Sequence, residues 1–126
     1  MKSSAWARRE HAALLAVAGA LALLNFGAIH WPRALIAFAA IDLIGYLPGT
    51  IAARRSNHRP IPAIFHHLYN ITHSYLFAGC VVAMWALALG RFEFAMLAVP
   101  IHLSIDRGLF GNSWKPVSMP FEPKEA

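Results

Sequence analysis

Charged side chains are scarce in this chain. Asp, Glu, Lys and Arg make up 13% of its 126 residues, about half the share found in ordinary soluble domains. A soluble chain this short needs polar side chains to cover its core, and here there are too few, which excludes a water-soluble globule as the simplest reading. Cysteine is almost absent too. The single Cys80 excludes an internal disulfide and any cysteine-built zinc site, so nothing depends on an oxidising compartment. Acidic residues number 6 against 11 Lys and Arg. The basic residues nevertheless form no face, no recognition motif and no aromatic-basic interleaving, and no nucleic-acid partner is expected.

Apolar residues fill the space that charge leaves: 58% of the chain is AVILMFWYC. Between Glu10 and Arg54 only Arg33 and Asp42 are charged, and between Arg59 and Arg91 nothing is. Stretches of this kind read as membrane-spanning helices, which need about 20 residues to cross a hydrocarbon layer of about 30 Å. Pro32, the segment Arg54 to Pro62 and the Gly90-Arg91 pair punctuate them. The expected spans are Ala12 to Ile29, Ala34 to Ala53, Ala63 to Leu89 and Phe92 to Phe110. The expected fold is all-α, a four-helix transmembrane bundle over residues 1–110, followed by a short Pro-rich cytoplasmic tail over 111–126 that lies along the headgroups. The first span follows a basic start as a signal peptide does, but Asn25 to Ile29 offers no small-residue cleavage site, and a retained helix is expected.

The basic residues orient the bundle. With both termini and the middle loop on one side, Lys2, Arg8, Arg9, Arg54, Arg55, Arg59, Arg107, Lys115 and Lys124 share that side, and only Arg33 and Arg91 face the other. The bias places both termini in the cytoplasm. Trp31 and Trp114 fall at the interfaces as anchors, and small residues such as Ala18, Gly19 and Ala20 permit close helix packing. Membrane lipids are the expected surroundings, with other membrane subunits as possible partners.

Ionisable groups inside hydrocarbon are costly and face a protein interior. The second span carries Asp42 and Tyr46, the third His66, Asn70 and His73, and the fourth His102 and Asp106, each set on one helical face. Asp42 lies eight residues from the outer start of its span, His102 ten from its own, and His73 ten from the opposite end of the third. At about 1.5 Å per residue the three share a depth. Tyr46, Asn70, His66 and Asp106 form a layer nearer the cytoplasm with Arg107 at its mouth, a polar shaft opening inward. Imidazole and carboxylate on facing helices suit a divalent ion such as zinc, manganese or iron. The expected ligands are Asp42, His73, His102 and Asp106. Alternatively, Asp42 and His102 form a charge-neutralising pair that fixes packing. His66 and His67 are expected near the interface with at most one facing inward, and His11, His30 and His58 in solvated positions.

Three segments carry a resemblance: Asp42-Leu43-Ile44-Gly45-Tyr46-Leu47-Pro48-Gly49, Tyr69-Asn70-Ile71-Thr72-His73-Ser74-Tyr75, and His102-Leu103-Ser104-Ile105-Asp106-Arg107-Gly108-Leu109 with Lys115 beyond. In order, spacing and span assignment they resemble a family of small four-span bacterial membrane proteins of unknown function, which implies a multi-pass protein of the bacterial cytoplasmic (inner) membrane. A looser likeness is to bacterial membrane-bound metal-dependent hydrolases, through Asp42, Thr72-His73-Ser74 and His102 with Asp106. The chain departs from them in having Ile41 before Asp42, and Leu68 and Tyr69 where a His-Arg pair stands.

The leading expectation is a metal-dependent hydrolase acting on a lipid or amphiphile from the cytoplasmic leaflet. Asp42, His73 and His102 hold the ion, Asp106 serves as general base or further ligand, Asn70 orients water or substrate, and Arg107 grips an anionic headgroup. The alternatives are a non-catalytic accessory subunit of a larger membrane complex, and a haem or pigment protein using its histidines. Ion conduction lacks a polar continuation toward Trp31.

Overall fold

The computed structural model describes residues 2–122 and is all-α, with no strand among them. Pro123 and Lys124, counted above in the tail, lie outside the described residues. Helix α1 runs Ala5–Leu24, α2 Trp31–Gly45, α3 Leu47–Arg55, α4 Ala63–Thr72, α5 Tyr75–Leu89 and α6 Ala98–Ser104, with a π turn over Ile105–Leu109.

Local chemistry sets most of these boundaries. The Ser4 side chain accepts from the Ala7 amide and caps α1, while Pro32 sits in the first turn of α2, where a missing N–H costs nothing. Pro48 cannot donate to the carbonyl four residues back, so the helix breaks at Tyr46 and restarts as α3. Ser74 ends one helix and caps the next: its hydroxyl accepts from the Phe77 amide at 3.1 Å, and α4 meets α5 at 59°. Gly90 closes α5 at φ 67°.

The four-span expectation is met only in its helical character. Trp31–Arg55 is long and apolar enough to cross a membrane, and the bent pair α4 and α5 forms a second candidate if it is one span. The first helix starts seven residues before the expected Ala12, taking in Trp6, Arg8, Arg9 and Glu10. The segment expected as Phe92 to Phe110 is a 3₁₀ turn Phe94–Leu97, the short α6 and the π turn, because Pro100 stands among its first helical residues.

Helix α2 packs on α4 and α6, and α1 packs on α6 and the π turn. The buried contacts are Ala34, Ala95 and Ala98 in one cluster, all small, and Ala78 with the larger Val99 and Leu103 in another. An added Cβ at Gly108 would lie 2.9 Å from the Ala12 amide nitrogen, so only glycine lets the π turn lie against α1. Arg8 then donates to the Gly108 and Leu109 carbonyls, at 3.4 and 3.1 Å, satisfying groups the turn leaves open. Lys2 bonds Phe110 and Asn112 at the same end. At the other end Arg33 pairs with Glu93 at 2.7 Å.

The described part of the tail packs on the bundle. Residues 111–122 fold back over α3 and α4, and Phe121 is buried against Ala53 and Tyr69. Gly49 makes room for it, since a Cβ there would overlap the Phe121 ring.

Candidate metal centre

The site exists because α2 and α4 touch at Gly45. A Cβ at that position would overlap the Thr72 hydroxyl, so glycine sets the approach that carries Asp42, three residues earlier, to His73. His73 itself terminates α4: its backbone amide bonds the Tyr69 carbonyl at 3.0 Å. His102 comes from α6, held between α2 and α1.

Asp42 Oδ1 lies 3.1 Å from His73 Nε2 and 3.3 Å from His102 Nε2, and the three ligand-type atoms all fall within 4.8 Å of one another. Both imidazoles are buried, while half of the Asp42 side chain is exposed (50%). Tyr69 stacks on the His73 ring with centroids 4.0 Å apart, and Phe38 packs on His102 at 4.5 Å. These rings fix the imidazole planes.

The hydrogen bonds around His73 decide what its Nε2 can do. Its Nδ1 is 3.0 Å from the Tyr69 carbonyl and 3.1 Å from the Thr72 hydroxyl. The carbonyl only accepts, and Thr72 donates its own proton to the Leu68 carbonyl at 2.8 Å. Nδ1 must therefore carry hydrogen. In the neutral ring Nε2 then presents a lone pair to a carboxylate oxygen, a repulsive arrangement that a proton or a cation between them reverses. His102 Nδ1 is buried without a partner, so nothing prescribes that ring's tautomer, and its Nε2 is able to donate to Asp42 or to ligate. Nitrogen and oxygen ligands at about 2.1 Å in a tetrahedral set are about 3.4 Å apart, close to the two edges that Asp42 makes with the histidines.

Asp106, expected as a further ligand or base, is not in this group. Its oxygens accept from the Tyr69 hydroxyl at 2.9 Å and the Asn112 amide at 2.7 Å. The physical reason is the π turn, which begins at Ile105 and turns Asp106 off the helical face it would share with His102. Asn70 does not point at free space: its amide donates to the Lys115 carbonyl at 2.9 Å and accepts from the Lys115 amide at 2.8 Å. Arg107, expected to grip a headgroup, donates to the His73 carbonyl and so braces the turn bearing that imidazole. His66 is buried and paired with the Met119 carbonyl at 3.1 Å, while His67 is exposed. His11, expected at a solvated loop or interface position, is partly exposed on α1, where it stacks on Tyr75 and hydrogen-bonds its hydroxyl at 3.1 Å.

The expected inward shaft is thus filled by the tail. Besides the Asn70 and His66 bonds, Tyr46 and Thr50 donate to Glu122 Oε1 at 2.8 and 3.1 Å, with Arg54 at 3.6 Å from Oε2. Lys115 Nζ donates to the Phe121 carbonyl at 2.7 Å and lies 4.8 Å from the centroids of Tyr69 and Phe121. Partial burial pushes the Glu122 carboxyl up, but the hydroxyls of Tyr46 and Thr50 and the Arg54 charge outweigh it and hold it below the ordinary glutamate value. Burial lowers the Lys115 amine. Glu122 and Phe121 were not singled out from the sequence, and Gly45 and Gly49 entered only as members of the segment that begins at Asp42. A Phe-Glu pair in a Pro-rich tail carries no periodicity to mark it, whereas Gly45 and Gly49, four apart on a span, are a legible sign of close approach.

Neither protein-family profiles, nor curated protein sequences, nor solved structures give a match to this chain.

Proposed function

We propose that the chain is a four-span membrane protein whose Asp42, His73 and His102 bind one divalent ion, and that this centre hydrolyses an amphiphile. The observation that carries the metal reading is the His73 environment, where Nδ1 is committed as a donor and Nε2 faces Asp42 Oδ1 at 3.1 Å. Two imidazoles and one carboxylate suit zinc, manganese or iron. Three protein ligands leave a position open, as hydrolytic centres require, and the half-exposed Asp42 puts that position on the accessible side. The ion would supply Lewis acidity and acidify a bound water toward a pKa of about 7. The protein's own residues would orient it: the Tyr69 carbonyl and Thr72 hold His73, and Tyr69 and Phe38 fix the two rings. The resemblance to membrane-bound metal-dependent hydrolases points the same way.

Membrane placement is supported by the outward faces of the helices, where Leu23, Leu24, Leu76 and Leu87 are each at least three-quarters exposed. The clustering of Lys2, Arg8, Arg54 and Lys115 at one end supports a cytoplasmic location for both termini.

Elemental analysis of the purified full chain tests the metal reading. About one ion per chain is expected, with His73→Ala and His102→Ala each reducing it to background while far-UV circular dichroism stays helical. Negligible metal in wild type and both variants alike, after reconstitution with zinc, manganese or iron, would end this reading. A second reading is favoured by Asp42 itself: a half-exposed carboxylate on an apolar span also suits pairing with a cationic residue of a partner helix. An accessory subunit of that kind would lose its partner, and not metal, on Asp42→Asn.

A further inference from the structure

The contacts of Glu122 outline a binding site. Its carboxylate is received by three groups that belong to the bundle: the Tyr46 hydroxyl at the break between α2 and α3, the buried Thr50 hydroxyl one turn on, and the Arg54 guanidinium a further turn along the same face. Two O–H donors on one oxygen and a cation beside the other form a cradle for an oxyanion. Nothing about the bundle requires a carboxylate there. Tyr46 and Thr50 stand on a helix whose packing on α4 is made by Gly45 and Ala53, and Glu122 reaches them from the far end of the chain.

The cradle is also placed for an amphiphile. Its donors spread over the nine residues from Tyr46 to Arg54 at the basic end of Trp31–Arg55, the helix apolar enough to cross a membrane. Arg54 is largely exposed, at the level where anionic headgroups lie. Four residues before Tyr46, about 6 Å along the helix, Asp42 marks the metal cluster. An apolar cleft lies along the flank of the same helix, lined by Ala37, Ile41, Ile44, Phe77, Val81 and Trp85.

We propose that Tyr46, Thr50 and Arg54 form a headgroup site for the phosphate of an anionic amphiphile, and that Glu122 is a tethered competitor that occupies it until such a lipid arrives. Displacement of Glu122 frees Phe121 from its notch at Gly49 and lifts the segment that closes the inward side of the bundle over Tyr69 and Asn70. The site shares the membrane placement proposed above but does not depend on a metal ion, so absence of metal and absence of headgroup binding are separate results.

The test uses the full chain in nanodiscs of phosphatidylcholine, with and without phosphatidic acid, and inorganic phosphate as the soluble counterpart. Bound lipid is counted by native mass spectrometry, and release of the 111–122 segment, the strap, is followed by hydrogen exchange of the Lys115 amide, which bonds Asn70 in the closed form. Phosphatidic acid is expected to bind wild type and to raise Lys115 exchange. Glu122→Gln should bind it about tenfold more tightly, because a tethered competitor has lost its charge, and Tyr46→Phe with Thr50→Val in that background should remove the gain. Equal affinity in all three chains would overturn the site. Binding with unchanged Lys115 exchange would overturn the competition. Inorganic phosphate binding as tightly as phosphatidic acid would overturn the lipid as its source, and failure of both probes to bind Glu122→Gln would overturn the proposal whole.

Discussion

At the scale of single residues, two glycines separate the cluster of Asp42, His73 and His102 from the tail segment 111–122 that carries Phe121 and Glu122. Gly45 allows the Asp42 helix to meet Thr72, and Gly49 makes the notch for Phe121. Adding one methyl group where backbones or rings already touch costs about 1–3 kcal/mol through displaced neighbours. Gly45→Ala should push α2 from α4 and move Asp42 away from His73, weakening metal binding by about tenfold or more, as losses of orienting contacts do. Gly49→Ala should leave metal content unchanged and raise Lys115 amide exchange. Measuring both quantities on both variants checks the assignment, and a matched loss of metal in the two would show that the cluster and the strap are one unit. The cluster residues were legible before the fold. Asp42, His73 and His102 are ionisable groups within predominantly apolar stretches, and their cost in hydrocarbon marks them. What those residues touch was not legible: Thr72 and Tyr69 set the tautomer of His73 through a helix end that no spacing announces.

At the scale of elements, the strap over residues 111–122 is held by side chains of α2, α3 and α4, and its Glu122 latch is titratable. The folded pKa of Glu122 lies below its ordinary value, so its contribution to docking is complete above about pH 4.3. It is lost as pH falls through the lowered folded value. Hydrogen-exchange protection at Lys115 should therefore be flat at neutral pH and fall in the acid range, and Glu122→Gln should flatten that acid limb. A wild-type profile without an acid limb would remove Glu122 as the latch. The same scale explains the fate of Asp106. An i, i+4 relation to His102 assumes a regular helix, and the i to i+5 bond from the Phe110 amide to the Ile105 carbonyl at 3.2 Å replaces that geometry with a wider turn. Pro48 and Pro100 were visible as interruptions, but their outcome differs: at Pro48 the helix restarts in nearly the same line, whereas around Pro100 only a short helix survives between a 3₁₀ and a π turn.

At the scale of the whole molecule, the apolar surface defines what must surround it. Cys80 is exposed on α5 among Leu76, Met84 and Leu87, all facing outward. If that face meets acyl chains, a water-soluble maleimide should leave Cys80 unmodified in intact bilayers and label it fully once lipid is replaced by dodecyl sulfate. Labelling in intact bilayers would place α5 against water and refute the four-span arrangement. The strong cooperation of distant segments is also a whole-molecule property: residues at 8, 46, 70 and 108 to 122 meet at one end of the bundle. Of these only Arg8 and Lys115 are basic, so charge marked part of the grouping and the rest is polar pairing with the tail.

Composition and the positions of charge alone determined that the chain is helical and apolar, which residues are costly enough to need partners, and which end of the molecule is basic. These are sums over local free energies of transfer and over helical periodicity, and each can be read from neighbouring residues. Tertiary structure alone decided that Asp106 stands apart from the cluster of Asp42, His73 and His102, and that Phe121 and Glu122 fill the shaft. Those outcomes hang on helix breaks, a π turn and two close backbone approaches, where a displacement of one methyl group or one residue per turn redirects a side chain and no local preference records the choice.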